Sequence, residues 1–100
     1  MLIIAGSFRV APPQRDAAIA AAREMMTETH KEKGCHAYVF SADLADPTLV
    51  HLFELWESAE HLHAHFVTPH MARFQAAIGT IKPRDFSVKR YEISSVGPVR

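Results

Sequence analysis

The sequence predicts an α+β domain of the ferredoxin-like kind: element order β-α-β-β-α-β, one antiparallel sheet, and both helical segments on one face of it. Three observations predict it. Two stretches are rich in helix formers (14–33 and 59–79), four β-rich stretches surround them (2–10, 35–43, 49–57 and 85–96), and the second and third of these are joined by hairpin turn chemistry. One hundred residues is about one domain's worth, and no linker, repeat or low-complexity segment interrupts them, so residues 1–100 are read as a single domain.

Residues 2–10 stop at Ala11-Pro12-Pro13, where proline ends strand pairing. From Gln14 to Lys33 the chain is dominated by Ala, Glu, Met and Arg, and Ala18, Ala22, Met25 and Thr29 recur at helical spacing with Ile19 and Met26 beside them. No Ser, Thr or Asp caps its front. Gly34 is expected to supply a left-handed stop after a basic last turn of His30, Lys31 and Lys33. Asp43-Leu44-Ala45-Asp46-Pro47-Thr48 carries the turn between the middle strands. Ser58 caps the second helical segment, with Glu60 in its first turn, and Thr68-Pro69 restarts it as an N-cap followed by proline at the first helical position. Met71, Phe74, Ala77 and Ile78 form the apolar face of that second half, which is expected to end near Gly79.

The sheet reads as apolar on both sides. In strand one Leu2, Ile4, Phe8 and Val10 alternate with Ile3 and Ala5; in strand three Val50, Leu52 and Trp56 alternate with Phe53 and Leu55. Helices on one face leave the other needing cover, and closed twofold symmetry is the default way to provide it, so a homodimer is expected.

Composition narrows the function. Eleven basic and eleven acidic residues cancel, so no net field draws in nucleic acid or an anionic membrane. The apolar run at the N-terminus has no charged segment ahead of it and is too short for a signal peptide or a membrane span, which points to a cytoplasmic protein. Cys35, the one cysteine, excludes an intrachain disulfide and suits a reducing compartment; its default role is a small buried apolar residue. There is no G-x-S-x-G, P-loop or G-x-G-x-x-G, so acyl transfer and nucleotide chemistry lack support.

The densest polar chemistry runs from Glu54 to His70. His61 and His65 stand one helical turn apart and could share a metal, but no companion carboxylate is evident and no metal is expected. Leu62 and Phe66 are read as the buried face of this helix, which puts His65 on its border. A histidine edging an apolar pocket is a candidate general base, and a core-edge histidine bonded to backbone is the alternative. At the border, its replacement is expected to cost little stability. His70, just past Pro69, could face the same pocket. Trp56 is by default a core aromatic whose indole N–H needs a partner. Ala5, Gly6 and Ser7 could accommodate packing or leave a cavity between sheet and helices, and Tyr38 and Tyr91 read as strand-face packing.

Phe53-Glu54-Leu55-Trp56-Glu57-Ser58, then Leu62, Ala64-His65 and Thr68-Pro69-His70-Met71, resembles the antibiotic biosynthesis monooxygenase family, as do the Gly34-Cys35 step, the Asp46-Pro47 hairpin and the length. The resemblance implies a dimeric ferredoxin-like domain with a cavity between sheet and helices. It also implies a choice among cofactor-independent oxygenases of quinols and anthrones, haem-degrading enzymes and a sugar-phosphate isomerase. The haem-degrading branch uses an Asn, a Trp and a His where this chain has Ser7, His65 and Gln75, which argues against haem degradation. The expectation is a cofactor-independent monooxygenase acting with molecular oxygen on a small aromatic quinol or polyphenol. His65 would be proton acceptor, His70 would assist, and Ser7, Trp56, Phe66 and Phe74 would line the substrate pocket. The alternatives are an isomerase or tautomerase of a small oxygenated metabolite and a non-enzymatic dimeric binding protein.

Overall fold

The computed structural model describes all 100 residues. Its four strands, β1 (Leu2–Arg9), β2 (Cys35–Ala42), β3 (Leu49–Trp56) and β4 (Arg84–Glu92), form one sheet in the order β2-β3-β1-β4. Every neighbouring pair is antiparallel. A short 3₁₀ turn, Pro12–Gln14, leads into α1 (Arg15–Thr29); α2 (Ala59–Phe66) and α3 (Pro69–Ile81) fill the β3-to-β4 connection. No helix is long and apolar enough to cross a membrane.

Alternation along the strands decides which side chains meet the helices. Leu2, Phe8 and Val10 from the β1 segment, Tyr38 and Phe40 from β2, and Leu52, Glu54 and Trp56 from β3 are all buried on the helix side. Met25 of α1, Leu62 of α2, and Met71 and Ile81 of α3 close over them. The other sheet face carries Ile3, Ala5, Leu55, Phe53 and Val39, the last two about two-fifths exposed. Gly6 is required where it stands, because a Cβ there would come within 1.9 Å of the Ser87 carbonyl oxygen on β4.

The helix starts follow the sequence closely. Ser58 Oγ accepts the His61 N–H and Thr68 Oγ1 accepts the Met71 N–H, each satisfying one of the free amides of a first turn. The ends differ. α1 stops at Thr29, a turn before the expected Gly34, and residues 30–34 form a turn in which Gly34 takes φ +83°. A Cβ on Gly34 would also collide with the His61 ring, so the glycine serves the packing of that turn against α2. α3 runs through Gly79 to Ile81 and is ended by Lys82 in the left-handed conformation, φ 54°. β4 begins at Arg84, one residue before the expected start, and ends at Glu92 rather than at residue 96.

Candidate functional site

Two features lie on the helix side of the sheet: a buried polar cluster at one end and an apolar cavity at the other. The cluster begins with strand parity. Glu54 lies two residues before Trp56, so both point at the helices, and the Trp56 Nε1–H donates to Glu54 Oε1 at 2.8 Å. The Trp56 ring is fully buried and the Glu54 side chain nearly so. Burial pushes the Glu54 carboxyl up to about 7, with the charge of Glu32 adding to the rise and the indole hydrogen bond opposing it.

Glu32, from the turn after α1, is the hub. One of its oxygens, Oε2, lies 2.7 Å from His65 Nδ1 and 2.7 Å from His70 Nε2. A carboxylate can only accept, so each imidazole donates through the nitrogen that faces it. In its neutral form His65 then keeps its proton on Nδ1 and leaves a lone pair on Nε2, which no protein group bonds. His65 is only 1% exposed and His70 8%. Tyr38 and Trp56 wall the His65 ring at centroid distances of 5.5 and 4.9 Å. Burial, with Glu54 and Glu32 nearby, holds the Tyr38 phenol far above its ordinary range, and the same causes raise Cys35 to about 11. Neither is poised to ionise.

Glu32, His65 and His70 also offer three ligand atoms within 4.8 Å of one another, the one group in the chain with metal-ligand composition. A tetrahedral metal with ligands at 2.0–2.1 Å would hold them about 3.3 Å apart. The 2.7 Å spacings are those of charge-assisted hydrogen bonds, so the group as it stands is a hydrogen-bonded carboxylate–imidazole cluster. His61, the expected partner of His65 for a metal, instead places Nδ1 2.8 Å from Ser58 Oγ. A companion carboxylate does exist, but it comes from 33 residues upstream.

The cavity, about 210 Å³, lies between α1, α3 and the sheet, and 13 of its 16 lining residues are hydrophobic. Phe8, Phe40 and Phe74 form its aromatic wall, and Arg15 and Arg23 are its charged residues. A row of rings connects cavity and cluster on the helix side of the sheet: Phe8 to Phe40 at 6.2 Å, Phe40 to Tyr38 at 5.5 Å, then His65.

The residues singled out from sequence are thus divided. His65, His70 and Trp56 come together in the cluster, and Phe74 lines the cavity. Phe66 is 53% exposed, because α2 turns Leu62 and His65 inward and leaves Phe66 about 100° round the helix. Ser7 sits opposite His51 and Ser87 on the sheet face away from the helices, since Gly6 and Phe8 hold the inward parity. Gln75, on α3, bonds only the Met71 sulfur. His65 is not on the border of a face but fully inside. Glu32 is absent from the sequence reading, where Glu54 enters only as the head of the polar stretch and within the resemblance, and Tyr38 only as strand-face packing. Parity with Trp56 marks Glu54 as inward, and parity with Phe40 does the same for Tyr38, whereas nothing periodic marks Glu32 in its turn.

Residues 1–77 match the model of the antibiotic biosynthesis monooxygenase family. The chain is 33% identical to the probable quinol monooxygenase YgiN of Escherichia coli K12, over 78% of this chain and 85% of YgiN. It is 26% identical to the uncharacterised protein sll1783 of Synechocystis, over 93% of this chain, and spans 63% of that protein's length. Among solved structures, a Deinococcus radiodurans protein described under the same family name superposes with a TM-score of 0.90 at 21% identity, covering 100% of this chain and 99% of its own, and attests the fold. Rv0793 of Mycobacterium tuberculosis superposes at 0.77 with 27% identity, covering 99% and 97%.

Proposed function

Because the chain belongs to the antibiotic biosynthesis monooxygenase family, we propose that it is a cofactor-independent monooxygenase of a small aromatic quinol or polyphenol. The observation that carries this reading is the sharing of Glu32 Oε2 by two buried imidazoles. That arrangement fixes the His65 tautomer and leaves Nε2 as a base in a dry, aromatic-walled setting. A phenolic proton passes to His65, with Glu32 holding the imidazolium that forms and His70 completing the cluster. The anion combines with dioxygen at a ring carbon bearing hydrogen, the peroxide so formed takes the proton back from His65, and loss of water from the hydroperoxide leaves a carbonyl. One phenol and one O2 give one quinone and one water. The substrate supplies all the electrons, so the protein's part is positioning and electrostatics. The apolar cavity would hold the ring; its lining ends at Phe40, two ring spacings from His65, so proton transfer would require the Tyr38 ring between them to move aside. Phe74 lines this pocket and Trp56 backs the base; Ser7 and Phe66 lie outside it.

The test is oxygen uptake with a panel of quinols, before and after chelator treatment. Stoichiometric uptake that survives the chelator supports the reading; turnover that stops with chelator and returns with a transition metal sinks it. A tautomerase is the second reading, favoured by Glu54: a buried acid held up to about 7 close to Glu32 could return the proton that His65 removes. Substrate conversion without oxygen uptake would select it.

A further inference from the structure

The geometry points to a substrate that is a planar aromatic acid, its ring enclosed in the cavity and its carboxylate held at the mouth by Arg23, with Arg15 adding positive charge. This narrows the substrate class of the oxygenase reading and rests on that reading for the reaction, though not for the binding.

The cavity is apolar but not neutral. Apart from its 13 hydrophobic residues it has Ser41 and two arginines, and no acidic side chain lines it. Arg9, Arg73 and Arg90 are each paired with a carboxylate; neither cavity arginine is. Arg15 is half-buried and gives one guanidinium nitrogen to the carbonyl of Pro47, which anchors it and leaves its charge uncompensated. Arg23, one helical turn beyond Ile19 on α1, is exposed and bonds nothing. Arg23 also lines a separate surface depression with Glu24, Thr27, Glu28 and Arg73, where Arg73 and Lys31 already pair the two carboxylates.

An unpaired guanidinium beside a desolvated apolar wall favours a ligand that brings its own anion, and a carboxylate can meet the planar fork with two parallel hydrogen bonds. The wall specifies the body. Phe40 and Phe74 lie 5.7 Å apart with rings tilted by 33°, and Phe8 meets Phe40 edge-on. Such rings favour a flat partner over a flexible chain. The 210 Å³ volume is below the roughly 300–1,000 Å³ of pockets for drug-sized ligands, so one or two fused rings fill it.

Calorimetry with 2-naphthoate, its neutral counterpart 2-naphthamide, and octanoate tests this on the intact protein. The naphthoate is expected to bind at least about tenfold more tightly than either of the others at low salt. Arg23→Gln should bring naphthoate to within about twofold of the amide without changing the amide's own affinity, while Arg23→Lys keeps part of the preference. Ala22→Phe, which fills the cavity from α1, should weaken all three. Equal binding of acid and amide, an acid preference that survives Arg23→Gln, octanoate binding as well as naphthoate, or binding untouched in a folded Ala22→Phe variant would each overturn the inference. Oxygen uptake separates it from the reaction. Turnover of uncarboxylated quinols with no preference for acids overturns the inference and leaves the oxygenase reading standing. Acid binding as described without uptake of oxygen supports the inference and removes the reaction.

Discussion

Glu54 shows how one buried carboxyl links stability to pH. In the unfolded chain it titrates near 4.5, and in the folded chain near 7. Between those values the unfolded chain gives up a proton that the folded chain keeps. This contribution to stability therefore falls as pH rises from about 4.5 to about 7 and is level above that. Glu54→Gln preserves an acceptor for the Trp56 indole and removes the titration. Relative to the parent, the variant should gain roughly 1–3 kcal/mol of stability between pH 5 and pH 8. Denaturant midpoints measured for both proteins across that range check it, and a constant difference would refute the assignment.

His65 belongs to the same scale but needs two readouts. Its ring is buried and bonded to Glu32, so His65→Ala should cost about 1–3 kcal/mol, against the small loss expected for a residue at the border of a face. If it is the proton acceptor, turnover per folded molecule should also fall by roughly 10²–10⁴-fold. Glu32→Gln should lower turnover in the same direction while leaving Nε2 in place. Thermal melts and oxygen uptake on one preparation separate the effects, and unchanged turnover in a folded His65→Ala variant would remove it from the mechanism.

At the level of elements, the ends of helices are where local chemistry can be tested without touching the site. Lys82 ends α3 in the left-handed region, where a Cβ is unfavourable, and its side chain is exposed. Lys82→Gly should raise stability by about 0.5–1 kcal/mol, read as a higher melting temperature. The same reasoning accounts for the misplaced helix ends. Gly34 does adopt positive φ, yet it serves a separate turn after α1 rather than its last residue. Gly79 is helical with open space beside it, so the glycine alone did not mark the stop.

For the whole molecule, the uncovered sheet face carries the expectation of a homodimer. Phe53 and Val39 lie side by side across β2 and β3, each about two-fifths exposed, with Ile3 and Leu55 beyond them. A stable pair buries about 1,200–2,000 Å² or more. If this face is the interface, Phe53→Arg should yield monomers at concentrations where the parent pairs. Sedimentation or light scattering at micromolar concentration checks both; a monomeric parent overturns the expectation.

The sequence by itself determined the element order, the helix starts at Ser58 and Thr68-Pro69, the hairpin at Asp43–Thr48 and the two-sided apolar sheet. Each of these rests on local chemistry or on a period that repeats within one element. Asp43, for example, accepts the N–H groups of Ala45 and Asp46 within its own turn. Tertiary structure alone decided the site. Whether His65 or Phe66 turns inward depends on how α2 rotates over β3, which two adjacent residues cannot specify. Glu32 meets His65 and His70 across 33 and 38 residues because the turn after α1, the end of α2 and the start of α3 converge above the sheet. No spacing in the chain encodes that approach; only packing of separate elements onto one surface creates it.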